Sequence, residues 1–469
     1  MQTKKEVIHL FNIVIRNAEN VYEFNELIKI FVKPEDFDIL TGDEPLEEVN
    51  NRKITFTVNH PPVNDKNEIK RQLYQELSKH TGLEPEWGIL TGVRPVKLTA
   101  ELVEKHGSVE AVRELLKDFY FVGDEKIDLL INTYEYQQEI LGKANENSIG
   151  VYIGIPFCPT RCSYCSFTSN QKGPEEIERY LEALLKEIEY AGNAMKEQGT
   201  YAESVYIGGG TPTTLTAEQL DILLKRVKEC FDLSKCIEFT VEAGRQDTIT
   251  SDKLGVIANH GIERISINPQ TMKDETLKLI GRIHTTDAIR DSFKLAHEAS
   301  NFIINADLIA GLPEETPEDF EHSLREVIKL DPKNITIHTL AVKRASRMIE
   351  HDENYHYRHA ETVKQMLDVA KDLLKEEGYR PYYLYRQKHM AGAQENVGYC
   401  KGDTPCIYNI RIMEEKQSIL ALGAGGISKK FYPDENRLER VPNVSNYEIY
   451  IERLDEMIER KRKNFFEEV

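Results

Sequence analysis

The chain has 469 residues, 40 % hydrophobic and 30 % charged, enough apolar material for two or three domains with a sizeable core. Its 60 basic against 79 acidic side chains leave a formal charge of −19, which argues against sequence-independent nucleic-acid binding and against a polybasic membrane anchor. No stretch approaches the ~20 apolar residues that span a bilayer, and MQTKKEVIHLFNIVI lacks the features of a signal peptide, so a soluble, cytoplasmic protein is expected.

In chain order, residues 1–147 open with strand-like VIHLFNIVI and RKITFTV, followed by helical NEIKRQLYQELSKH and VRELLKDF. WGILTGVRP, with two glycines and a proline, is expected as a loop in which Trp87 is a packed aromatic. A small α/β domain is expected here, with IDLLINTYEYQQEIL and the polar KANENS leading out of it. From 148 to 345 six apolar runs, VYIGI, SVYIGG, IEFTVEA, RISIN, FIINADLIAG and NITIHTLA, alternate with long amphipathic helices such as EEIERYLEALLKEIEYAG. That alternation predicts βαβ units, a parallel sheet and an incomplete (β/α)6 barrel with its functional residues at the C-terminal strand ends. Residues 346–469 contain a predicted helix from about Glu361 to Glu377, strand-like YRPYYLYRQ, an apolar SILALGAGGI and a charged helical tail. This region is expected to cover the barrel mouth.

Seven cysteines, an odd number with three inside eight residues, suggest metal binding or catalysis rather than a disulfide framework. Cys158, Cys162 and Cys165 follow the first barrel strand in a C-x3-C-x2-C loop. Three thiolates on one loop can converge on an iron–sulfur cluster and leave one iron open, since a cubane cluster normally takes four ligands. A structural zinc site would need a fourth ligand, and none lies close by in sequence. Cys230 and Cys236 read as small buried hydrophobes, whereas Cys400 and Cys406 form a wider pair for which a second cluster is conceivable.

This loop, with Tyr164 before its third cysteine, resembles the radical S-adenosylmethionine (radical SAM) superfamily. The resemblance implies a [4Fe-4S] cluster held by Cys158, Cys162 and Cys165, whose free iron chelates the methionyl part of S-adenosylmethionine and whose electron releases a 5′-deoxyadenosyl radical. One βα unit later, Gly208-Gly209-Gly210-Thr211-Pro212 resembles the glycine motif that holds the methionyl ammonium. Taken alone, such a turn is also an ordinary strand-to-helix connection. Several further residues resemble the coproporphyrinogen dehydrogenase branch and are implied cofactor contacts: Tyr152, Tyr164, Gly209, Gly210, Thr211, Glu242, Gln270, Arg282, Asp307, Ala341 and Ile427. Glu242 and Asp307 individually also suit helix caps after a strand.

WGILTGVRPVKL, CPTRCSYCSF and YYLYRQKHMAGAQENVGYCKGDTPCIYNIRIMEE together resemble HemZ-type proteins, which are oxygen-independent coproporphyrinogen III oxidase-like and carry an additional N-terminal domain. The implied reaction is oxidative decarboxylation of coproporphyrinogen III propionates to vinyls in porphyrin biosynthesis, with an electron donor such as flavodoxin or ferredoxin. A haem-carrying relative of the HemW type is the competing reading. Those proteins have a His-Asn-x-x-Tyr-Trp stretch where this chain has Glu395-Asn396-Val397-Gly398-Tyr399-Cys400. A substrate with several propionates needs cations, and the candidates are Lys343, Arg344 and Arg386. His338 either lines the pocket or is a polar core residue.

Overall fold

The computed structural model describes residues 10–16, 21–41, 53–59, 65–165, 169–341, 359–387 and 390–467. They form two compact units that part between Tyr134 and Glu135, with short segments around 386–388 and 392–394 returning to the first unit. In the first unit, β1 (Leu10–Arg16), β2 (Phe37–Thr41) and β3 (Lys53–Asn59) form a parallel sheet in the order β2-β1-β3. Parallel strands require crossovers, and the helix Tyr22–Phe31 supplies one of them between β1 and β2. The helix Lys66–Thr81 starts at Asp65, whose side chain accepts from the Asn67 and Glu68 amides, and stops at left-handed Gly82. The WGILTGVRP segment is a loop and its tryptophan is buried.

The second unit is built on one sheet of eleven strands. Its centre is six parallel strands in sequence order: β4 (Ser148–Ile155), β5 (Tyr201–Gly209), β6 (Glu238–Glu242), β7 (Arg264–Ser266), β8 (Ile303–Ala310) and β9 (Asn334–Thr339). These are the six expected runs. They are apolar almost without alternation because both faces are covered; Val151, Ile153, Val205, Ile207, Val241, Ile265, Ile304, Leu308, Ile335 and Ile337 are buried. The intervening helices carry start signals where a crossover needs them. Thr216 and Gln219 form a capping box on Ala217–Cys230, Thr316 and Asp319 form another on Pro317–Lys329, and Pro174 opens Pro174–Glu197.

The six strands form an incomplete barrel because other strands occupy both of their edges. After the helix Ala360–Glu376 come β10 (Tyr379–Tyr385) and β11 (Asn396–Lys401), and β11 pairs antiparallel with β9. At the other edge β12 (Ser418–Leu422) pairs parallel with β4, followed by antiparallel β13 (Ile427–Tyr432) and β14 (Arg437–Pro442). The segment expected to cover the mouth thus continues the barrel's own sheet at both ends. The helices Tyr447–Glu452 and Leu454–Lys461 then pack on Pro174–Glu197. No helix among the described residues is long and apolar enough to cross a membrane.

Candidate active site

Register sets the site. Tyr152, Tyr206 and Thr240 stand opposite one another on β4, β5 and β6, so the two tyrosine rings stack, 6.3 Å apart at 16°. Tyr408 stacks on Tyr206 at 4.7 Å. Tyr206 donates to Glu242 Oε1 at 2.6 Å. Burial raises the Glu242 carboxyl to about 7, the Tyr206 hydrogen bond works against that, and the Asp307 carboxylate adds to it. Burial likewise pushes the Tyr152 and Tyr206 phenols up, so both stay protonated.

The cysteine loop leaves β4 at Pro156. It is pinned by Cys158 N to Asn170 O (3.0 Å) and Asn170 N to Pro156 O (3.0 Å). Its far side is held by residues after β7, with Ser163 N bonded to Ile280 O at 3.0 Å and Thr160 Oγ1 to Gly281 O at 3.3 Å. Cys158 and Cys165 are partly exposed and Cys162 is buried. Thr211 Oγ1 donates to Cys158 Sγ at 3.5 Å. The glycine turn has to be glycine where it meets this loop: a Cβ on Gly210 would stand 2.5 Å from Phe157 O and 2.9 Å from Cys158 Sγ. Gly209 has φ of +115°, and its Cβ would meet the Ile155 backbone.

Arg282, buried after β7, donates to Asn268 O at 2.6 Å and to the Tyr164 hydroxyl at 3.3 Å. Burial works against its charge, but Tyr164 and Cys162 outweigh it and hold the guanidinium protonated. Gln270 takes a left-handed backbone (φ 71°), which lets its amide bond Asp307 O at 2.8 Å and its carbonyl accept from Ile309 N at 3.0 Å. Asp307 lies 3.5 Å from His338 Nε2, and His338 Nδ1 is 3.3 Å from the Tyr385 hydroxyl.

Contacts therefore run along successive strand ends from β4 to β10 and join Tyr152, Tyr164, Glu242, Gln270, Arg282, Asp307 and His338 with the cysteine loop and Gly209–Thr211. Ala341, just past β9, bridges Met390, and Ile427 opens β13 half exposed. Arg245, Asp247, His284 and Tyr408 were not singled out in the sequence. Arg245 reaches Cys162 Sγ at 3.6 Å and pairs with Asp247. The only signal was position, since Arg245 follows Glu242 by three residues beyond a strand end.

Lys343 and Arg344 lie outside the described residues. Arg386 belongs to the first unit, where its guanidinium donates to the carbonyls of Leu90 and Ala393 and lies 4.8 Å above the Trp87 ring. Cys400 and Cys406 each engage a different partner. Cys400 Sγ lies 3.3 Å from the Tyr136 hydroxyl, Cys406 Sγ donates to Glu238 Oε1 at 3.2 Å, and burial raises both thiols.

Among the described residues no group of three or more His, Cys, Asp or Glu side chains is placed to hold a single metal ion. The cysteine loop nonetheless fits a larger thiolate-bound cluster with a polar ligand beside it. Three thiols share one loop with guanidinium groups alongside, and buried polar capacity is unused next to them. Among the described residues, Asn268 Oδ1, Arg282 Nε and both ring nitrogens of His284 are buried without a partner.

Comparison with known proteins decides the family. Residues 152–327, from β4 to the helix after β8, match the family model described as the radical SAM superfamily. The chain is 41 % identical over 403 residues, 85 % of its length and 80 % of the relative's, to the oxygen-independent coproporphyrinogen-III oxidase-like protein HemZ of Bacillus subtilis. It belongs to the radical SAM superfamily. Proteins of this superfamily use a [4Fe-4S] cluster and S-adenosylmethionine. A second relative, the heme chaperone HemW of Bacillus subtilis, is 36 % identical over 196 residues, 41 % of this chain and 50 % of that protein. The solved structure of coproporphyrinogen III oxidase (HemN) from Escherichia coli, a radical SAM enzyme, shares the fold with a TM-score of 0.53 at 23 % identity, covering 69 % of this chain and 73 % of that one.

Proposed function

We propose that this radical SAM protein carries out oxygen-independent oxidative decarboxylation of coproporphyrinogen III, or a closely related propionate-bearing tetrapyrrole, to the vinyl product. The observation that carries this reading is the likeness to a coproporphyrinogen-III oxidase-like protein along 85 % of the chain, well beyond the residues of the barrel alone. Cys158, Cys162 and Cys165 would ligate the cluster. Gly209, Gly210 and Thr211 would offer backbone to the methionyl end of S-adenosylmethionine, and Glu242, Gln270, Arg282 and Asp307 would hold the rest of it. Together the two cofactors supply reducing power and hydrogen-atom abstraction.

The chain's own part is positioning. The stacked tyrosines Tyr152, Tyr206 and Tyr408 line the barrel with flat apolar faces, and Tyr206 fixes the Glu242 carboxyl. Asp307, His338 and Tyr385 form a polar run at the β8–β10 ends. Each propionate converted loses one hydrogen atom, carbon dioxide and one electron. A donor such as flavodoxin or ferredoxin would reduce the cluster in the cytoplasm.

The likeness to HemW favours a second reading, a haem carrier. The test is an anaerobic assay of reconstituted protein with coproporphyrinogen III, S-adenosylmethionine and a reductant. Decarboxylated product together with 5′-deoxyadenosine supports the enzyme. Stoichiometric haem binding with no product would replace it with the carrier.

A further inference from the structure

Arg245 is buried just beyond β6 and uses its guanidinium on two sides. Its Nε and Nη2 bind the two oxygens of Asp247 at 2.9 and 2.8 Å, a fork-to-fork pair that fixes the plane of the group. Its Nη1 points the other way, donating to Thr160 O at 3.4 Å and to Cys162 Sγ at 3.6 Å. Burial alone would raise the Asp247 carboxyl, but the Arg245 bond overrides it and keeps the carboxylate charged. The pair is neutral overall and oriented: its positive edge faces the sulfur and its negative edge faces away. Beside it His284 adds no charge, because burial and Arg282 push its imidazole down to about 4.

We propose that Arg245, braced by Asp247, is a positioning residue that tunes the cluster through Cys162, its N–H donation to the ligand sulfur raising the reduction potential. This rests on Cys162 being a cluster ligand. Reduction adds one electron's charge to the cluster and its sulfurs. A donor held against a ligand sulfur stabilises the reduced form more than the oxidised one. The structure makes the donor rigid, so the stabilisation needs no rearrangement when the electron arrives.

The experiment is an anaerobic redox titration of the reconstituted full chain, followed by the paramagnetic signal of the reduced cluster, with iron and sulfide counted in each sample. Arg245→Gln keeps hydrogen-bonding capacity but loses the charge, and Arg245→Lys keeps the charge but loses the fork. At the potential that half-reduces wild type, the reduced-to-oxidised ratio should fall about tenfold in Arg245→Gln, as for loss of one charge-assisted hydrogen bond. Arg245→Lys should lie between. A wild-type midpoint in Arg245→Gln overturns the proposal, since an arginine that only braces the loop would change iron content or melting and leave the midpoint alone. If the Gln variant fails to hold iron, the Lys variant decides by the same criterion. Wild type that binds no iron overturns the assignment of the cysteines themselves, an outcome distinct from an unmoved midpoint.

Discussion

Glu242 is a buried carboxyl held by Tyr206, and the protein is less stable for it. In the unfolded chain its carboxyl titrates near the ordinary 4.5, whereas in the fold burial holds it to about 7. Below pH 4.5 both states are protonated and the position costs nothing. Between that pH and 7 the unfolded state ionises first, so stability falls as pH rises through the folded value. A shift of this size amounts to roughly 3 kcal/mol at pH 8. Glu242→Gln without cofactors should therefore melt several degrees above wild type at pH 8 and together with it near pH 4. Equal gains at both values would contradict this account. A second outcome concerns the leftover thiols: the Cys400→Ser, Cys406→Ser double variant should bind as much iron as wild type, because both groups are buried thiols already engaged with Tyr136 and Glu238. Loss of about half the iron would restore a second cluster. At this scale the cysteine spacing and the acids at strand ends were legible, because loop spacing and strand ends are local features. Arg245 was not, because its contact with Cys162 joins residues 83 positions apart. The contact of Arg386 with Leu90 O was hidden for the same reason, joining residues 296 positions apart.

Among the elements, the glycine turn after β5 matters most for the site. Gly210 packs where a methyl group would collide with the backbone of Phe157 and the sulfur of Cys158. The Phe157 carbonyl is backbone and cannot rotate aside as the cysteine sulfur can, so Gly210→Ala should displace the cysteine loop, and reconstituted protein should carry less than half the wild-type iron. Gly255 is the contrast. It lies inside the helix Ser251–Asn259 with nothing within 4 Å of the added carbon. Gly255→Ala should leave iron unchanged and raise stability by about 0.5–1 kcal/mol. Iron analysis and thermal melts on the pair check both outcomes; full iron in Gly210→Ala would show that the loop can yield. The six barrel strands were legible because each is an apolar run bounded by turn residues. The strands β2, β11, β13 and β14 were not. β11 reads NVGYCK, a composition that resembles a loop, and it is a strand because β9 and β10 supply hydrogen bonds on both sides.

Across the whole molecule, one buried ion pair ties the last helix to the first crossover of the barrel. Lys461 Nζ meets Glu187 Oε1 at 2.8 Å across 274 residues of chain, and both side chains are fully buried. The same carboxylate accepts from the Gly423 amide at 2.7 Å and the Tyr450 hydroxyl at 2.6 Å, and Asn443 donates to it and to Gly423 O at 2.9 Å each. The pair thus fixes the turn between β12 and β13, which leads into Ile427. A Cβ on Gly423 would stand 2.5 Å from Gly154 O of β4, so the turn lies against the strand that feeds the cysteine loop. Nothing in the local pattern of the charged tail marks Lys461 out among its basic neighbours, because only burial against a distant helix distinguishes it. Burial would raise the Glu187 carboxyl, yet Lys461 and the hydroxyl and amide donors bring it below its ordinary value. The stability it contributes is present above pH 4.5 and is lost as pH falls through the lowered folded value. Lys461→Met leaves a lone buried carboxylate and should cost about 3–5 kcal/mol at pH 7.5. Adding Glu187→Gln removes the stranded charge and keeps an acceptor for Gly423 and Tyr450, so the double variant should recover more than half of the loss. In the single variant desolvation raises the carboxyl, which protonates as pH falls and relieves the strain. The gap to wild type should therefore narrow between pH 7.5 and pH 5, measured as denaturant unfolding of the barrel unit. A gap of constant size would mean that Lys461 acts by packing its stem rather than by its charge.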